Sequence, residues 1–167
     1  MIEAFLRELQ QPEYLHVLLN PLPVYGLAIA VLALIAALCF GSRSGQVIAL
    51  VLIFICAAAA WPVVHYGKAA ESGVIAMSDN DGQAWLKAHE QRADKVIYLF
   101  YTLALVSLTA IFAPKKWPKT TQLLAVATLI LAFASLTAGF YIAHAGGKIR
   151  HREFRNTPPP NIEADPG

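Results

Sequence analysis

Charged residues and cysteines are scarce in this sequence, and the shortage restricts what the chain can be. Only 14% of its 167 residues are charged, whereas soluble domains average about 25%. The formal net charge of +2 is also too small to indicate a nucleic-acid partner. The two cysteines, Cys39 and Cys56, fall at depths that differ by roughly 10 Å on two predicted spans. We therefore expect two apolar thiols rather than a disulfide.

Motifs of catalysis and transport are missing as well. The sequence contains no glycine-rich phosphate loop, no nucleophile elbow and no pair of carboxylates within an apolar segment. Its long apolar segments hold no acidic or basic residue and no pair of proline-broken helices. These absences argue against a stand-alone enzyme and against a transporter.

Long uncharged runs are what the sequence does contain. Hydrophobic residues make up 57% of the chain and its mean hydropathy is +0.51. Four runs without Asp, Glu, Lys or Arg approach the roughly 20 residues that cross a bilayer: Val24–Phe40, Val47–Val64, Val96–Ala113 and Leu123–Ala145. Backbone polar groups in lipid must be satisfied within their own segment. The sequence therefore predicts an all-α membrane protein, an antiparallel bundle of four transmembrane helices.

The segments outside the runs complete the predicted domain organisation. Residues 1–20 carry apolar side chains at helical spacing between charges, which predicts an interfacial amphipathic helix. Residues 21–152 form the transmembrane domain, and the proline-rich residues 153–167 are predicted to be a disordered tail. The longest connection is His65–Lys95, in which we expect both flanking helices to continue, with Asp81 as an N-cap.

The charge of the short loops indicates the orientation. Gly41–Gln46 and Pro114–Gln122 contain basic residues and no acidic ones, which favours a cytoplasmic location for both loops. The total count of Lys and Arg favours the opposite side. We expect a multi-pass protein of the bacterial inner membrane with both termini in the periplasm.

All five histidines are predicted to lie at the membrane face that carries the termini: His16, His65, His89, His144 and His151. Histidine within a span usually faces the bundle interior or a polar cavity. His65 and His144 are the best-placed pair, because they belong to different helices at the edge of the hydrocarbon. An interfacial histidine can also be a solvated residue at headgroup level.

Imidazoles from facing helices are typical axial ligands of haem. The candidate cofactor-binding residues are His65, His144, His89, His151, Arg92 and Gly147, and the four histidines are also candidate metal ligands. Arg92, Lys148 or Arg150 can bind the haem propionates. Gly147 ends a stripe of small residues that suits either a flat cofactor or helix packing. On this hypothesis, His65→Ala or His144→Ala abolishes haem binding.

Two motifs resemble the family of small bacterial four-helix membrane proteins called domain of unknown function 2231. Asn20-Pro21-Leu22-Pro23 stands where that family has a His-Pro-Leu-His motif, and Gly146-Gly147-Lys148-Ile149-Arg150-His151 matches its closing Gly-Gly segment. His89 near the third span is similar too. The resemblance implies haem binding and supports His89 and His151, whereas Asn20, Pro23 and Tyr25 replace histidines of the opening motif.

The leading hypothesis is a membrane b-type cytochrome-like electron-transfer protein that holds haem b through histidine. Its expected partners are the lipid bilayer, a quinone or a periplasmic cytochrome, and other membrane subunits. Two alternatives stay open: a histidine-rich protein that binds a transition metal such as zinc or copper, and a non-catalytic scaffold subunit of a larger complex.

Overall fold

The computed structural model describes residues 2–160, with the backbone alone at Ala4, and its ordered elements are almost all helical. Strands are absent from this part of the chain. The α-helices are α1 Ile2–Glu8, α2 Pro12–Leu19, α3 Leu27–Cys39, α4 Arg43–Ala58, α5 Ala60–Ala76, α6 Asn80–Lys116 and α7 Thr121–Arg150. A π-helical turn, Leu22–Gly26, joins α2 to α3, so the chain runs without a break from α2 into the first apolar segment.

Within residues 2–160, four helices are long and apolar enough to cross a membrane, which confirms the central prediction from the sequence. They are Pro12–Cys39, Arg43–Ala76, Asn80–Lys116 and Pro118–Arg150. The third has 37 residues, a length of about 55 Å, whereas the hydrocarbon core of a bilayer is about 30 Å thick. The helices therefore extend well beyond their uncharged runs, at the end of the bundle that carries both termini.

The first long helix begins earlier than the sequence suggests. Residues 12–19, assigned above to an interfacial segment, form α2 and pack against α5. Pro21 and Pro23 lack backbone N–H groups, and the helix passes them through the π-turn, where the Leu27 N–H bonds to the Leu22 carbonyl. The interfacial amphipathic helix stays a prediction for α1, which is a separate short helix.

A tight turn connects α5 to α6 within the long polar connection. Asp79, rather than the expected Asp81, caps α6: its backbone is extended and its carboxylate accepts a hydrogen bond from the Gly82 N–H at 2.8 Å. Arg155 binds both carboxylate oxygens of Asp79, at 2.8 and 2.9 Å, and donates to the carbonyl of Lys148. The start of the predicted disordered tail is thus packed on the bundle, and residues 161–167 lie outside the described residues.

The centre of the bundle is rich in small side chains, which pack there with a few large ones such as Leu34, Leu50 and Leu103, and many other large apolar side chains face outwards. Alanines are fully or almost fully buried along α3, α4, α6 and α7, which lets the helix backbones approach closely. Ile29, Ile48, Leu105 and Ile130 are 63 to 66% exposed. An apolar exterior around a core of small residues is the pattern expected of helices in lipid.

Candidate functional site

The bundle divides into two helix pairs at the end that carries the termini. There α2 packs on α5 and α6 packs on α7, whereas contacts between the two pairs are few. A cleft of about 320 Å³ lies between them, within the size range of ligand pockets. Its inner part is apolar, with Val24, Ile97, Phe100 and Gly139 among the lining residues.

His16 and His89 face each other across this cleft. Their ring centroids are 6.4 Å apart and their planes are nearly perpendicular, at 84°. His16 belongs to α2 and His89 to α6, so each helix pair contributes one imidazole. Among the described residues, this is the histidine pair in ring contact.

Each of these imidazoles is held against the neighbouring helix in the same way. His16 Nδ1 lies 2.8 Å from the Val63 carbonyl oxygen, and its ring covers Gly67, where an added Cβ would stand 2.9 Å from Nδ1. His89 Nδ1 lies 3.0 Å from the Ile142 carbonyl oxygen, and its ring covers Gly146 with a corresponding distance of 3.0 Å. In both cases the glycine follows the carbonyl residue by one helical turn.

The two holding segments also share a sequence pattern. Residues 63–67 read Val-Val-His-Tyr-Gly and residues 142–146 read Ile-Ala-His-Ala-Gly. The site is therefore built from two similar halves, each with an imidazole from one helix and a carbonyl and a glycine from the next. This relation was not visible as a repeat over the full sequence.

The hydrogen bonds determine which nitrogen of each ring is available. A backbone carbonyl can only accept, so Nδ1 carries the proton in both His16 and His89. Each Nε2, which makes no hydrogen bond within the described part of the chain, keeps its lone pair in the neutral ring. Neutral imidazoles from facing helices are the donors that haem iron takes from proteins, so His16 and His89 could hold a haem in the cleft. The residues present thus fit a bis-histidine haem.

The other predicted histidines point away from the cleft. His65 is exposed and stacks on Trp61, with centroids 5.6 Å apart, and His144 is exposed beside Trp85. His151 is exposed and pairs with Glu153 at 2.8 Å. His65 and His144 each stand two residues before a cleft glycine, a rotation of about 200° around the helix, which turns them outwards. Of the four histidines proposed as ligands, the structure places His89 in the site.

The basic residues proposed to bind the haem propionates differ in whether they line the cleft. Arg92 donates to the Tyr141 carbonyl at 2.9 Å and covers the Tyr141 ring at 4.2 Å, outside the cleft lining. Lys148 is buried over the Trp85 ring, 4.2 Å from its centroid. Arg150 lines the cleft. Gly147 lines it too, with Phe154 the nearest neighbour of an added Cβ, at 3.7 Å.

His16 is the residue that the sequence interpretation left out of the candidate ligands. It lies one helical turn before Asn20, at a different rotational position from the histidines of the opening motif, and was therefore not among the candidates. The available signal was the sequence His-x-Gly at residues 65–67 and 144–146. Two residues along a helix lie on nearly opposite faces, so the glycine marks the face in close contact with a neighbour and the histidine lies on the other face.

Within residues 2–160, no group of three or more His, Cys, Asp or Glu side chains is placed to hold a metal ion. Comparison of the chain with protein-family models, curated proteins and solved structures finds no match. The resemblance to the family named above therefore stays an expectation from two short motifs.

Proposed function

We propose that this protein is a b-type cytochrome-like electron-transfer protein of the bacterial inner membrane, in which His16 and His89 would hold haem b. One observation carries the proposal: two imidazoles from different helix pairs meet across a cleft at 6.4 Å. This pair of His16 and His89 replaces the pair of His65 and His144 that was expected from the sequence.

The chain's own groups orient the ligands. The Val63 and Ile142 carbonyls bind Nδ1 of His16 and His89, which fixes the tautomer and directs the basic nitrogen away from the carbonyl. With two protein ligands, haem b bound there supplies one-electron transfer and keeps no open position for a substrate. The inner lining of the cleft beside that site is apolar. This arrangement suits a carrier better than a stand-alone catalyst.

The position of the site suggests its partners. Gly67 and Gly146 lie within three residues of the ends of the second and fourth uncharged runs, so the cleft lies near the membrane surface. We propose exchange of electrons with a quinone in the bilayer or with a periplasmic cytochrome. Association with other membrane subunits is a further part of the proposal.

Histidine variants test the ligand pair. We expect His16→Ala and His89→Ala to remove the bis-histidine absorption spectrum of the purified protein, because no other imidazole lies in ring contact with the remaining one among the described residues. The matched controls are His65→Ala and His144→Ala, which should keep the wild-type spectrum and haem content, measured by pyridine haemochrome.

The opposite pattern would exclude this ligand pair. Loss of haem in the His65 and His144 variants, with retention in the His16 and His89 variants, would restore the first pairing. A wild-type protein that stays colourless after expression with excess haem would refute the cytochrome proposal and favour a scaffold subunit. Insertion of every variant is checked by its yield in the membrane fraction.

A further inference from the structure

The cleft has a polar end as well as an apolar one. Gly139, Gly146 and Arg150 all line it and lie along one face of α7, at intervals of seven and four residues. Gly139 belongs to the fourth uncharged run, whereas Arg150 follows that run and is exposed. The face of α7 thus leads from the membrane side of the cleft to a guanidinium at its water side.

Arg150 lacks an anionic partner within the described residues. Its guanidinium contacts the Met77 sulfur at 3.9 Å and makes no ion pair there. Lys68, the other strongly basic residue of the lining, is already paired with Asp94 at 3.1 Å. A cleft that is apolar inside and has an unpaired guanidinium at its outer end suits an amphiphilic ligand with a carboxylate at one edge.

We propose that Arg150 binds a carboxylate of the tetrapyrrole at the water side of the cleft and thereby determines which edge of the ring points outwards. This inference rests on the haem function proposed above. It selects Arg150 over Arg92 and Lys148, whose cationic groups are held by Tyr141 and Trp85. Arg150 is in this role a binding residue for the cofactor's carboxylate and takes no part in ligating the iron.

The test compares haem b with its dimethyl ester, in which both carboxylates are masked. Each is titrated into apo-protein in lipid nanodiscs, and binding is followed by absorption. We expect Arg150→Gln to reduce the preference for haem b over the ester about tenfold relative to wild type, because one charge-assisted contact is lost. The bis-histidine spectrum of the bound haem should stay unchanged.

Two matched variants make the outcome decisive. Arg92→Gln and Lys68→Gln also remove one positive charge near the site, and both should keep the wild-type preference. The assignment of the carboxylate to Arg150 is wrong if Arg150→Gln keeps the preference for haem b over the ester, or if Lys68→Gln loses that preference instead. Either result leaves the haem-binding proposal itself intact. If wild-type protein binds neither compound, the haem function and this inference both fail.

Discussion

Each candidate ligand lies on a glycine of the neighbouring helix, and the missing side chain of that glycine makes room for the imidazole ring. Gly67 and Gly146 allow His16 and His89 to lie directly on the backbone of the neighbouring helix, close enough to reach a carbonyl there. Any larger residue at either position occupies the space of the ring. At this scale the sequence identifies the residue types, histidine and glycine, but does not indicate which histidine lies against which glycine.

Adding a methyl group at either glycine should displace the ring above it. In Gly67→Ala the new Cβ would stand 2.9 Å from Nδ1 of His16, and in Gly146→Ala 3.0 Å from Nδ1 of His89. The His16 ring must move, and the His89 ring must give by a few tenths of an ångström, which weakens each bond to the carbonyl. Overpacking of this kind costs about 1–3 kcal/mol, against a gain in helix propensity of up to about 1 kcal/mol. We expect a lower thermal unfolding midpoint and a lower haem content, measured in detergent.

Gly147→Ala is the control for that prediction. Its added Cβ would meet Phe154 at 3.7 Å, an ordinary van der Waals contact. Alanine is the better helix former by up to about 1 kcal/mol, so this variant should equal or exceed the wild type in stability. Equal behaviour of all three variants would show that the imidazoles do not depend on the two glycines.

At the scale of the helices, the extensions beyond the uncharged runs matter most. The polar ends of the second and third long helices, with α2 and the end of α7, build the cleft. Hydropathy locates the segments in lipid but not the full length of a helix. The sequence interpretation anticipated continuation through His65–Lys95. It assigned residues 12–19 to the membrane surface together with residues 2–9, whose apolar side chains recur at helical spacing between charges.

Asp79 links the start of α6 to the segment after α7, and its charge should show in the pH dependence of stability. The Gly82 N–H, with Arg155 and Arg152 beside it, lowers the pKa of Asp79. The carboxylate therefore stabilises the fold above the unfolded pKa of about 3.9, and this contribution is lost as the pH falls through the lower folded pKa.

Asp79→Asn isolates that charge, because asparagine keeps an oxygen that can accept the Gly82 N–H. We expect a lower unfolding midpoint than wild type at pH 7 and a much smaller difference near pH 3. Asp81→Asn is the matched control, since Asp81 makes no ion pair within residues 2–160. A constant difference between wild type and Asp79→Asn at both pH values would contradict the assignment to charge.

On the scale of the whole molecule, four long helices place both termini and the cleft at one end of the bundle and the two short loops at the other. The loops contain Arg43, Lys115, Lys116 and Lys119 without an acidic residue. From the positive-inside tendency we expect the cleft on the periplasmic side, where the periplasmic cytochrome of the proposal would have access to it.

Reporter fusions check this orientation. Alkaline phosphatase, which is active only after export, should be active when fused after residue 167 and inactive when fused after Lys116. A fluorescent protein that folds only in the cytoplasm should give the reverse result at the same two positions. Active phosphatase at Lys116 alone would place the termini and the cleft in the cytoplasm and remove the periplasmic partner from the proposal.

The four helices and the common end at which the histidines lie could be predicted from the sequence alone. Both follow from composition along the chain, because an uncharged run of sufficient length has to be a helix in lipid. That His16 and His89 face each other while His65 and His144 face outwards became visible only in the folded chain. This arrangement depends on how each helix is rotated about its axis and which helices pair, and these are set by close packing between segments far apart in sequence.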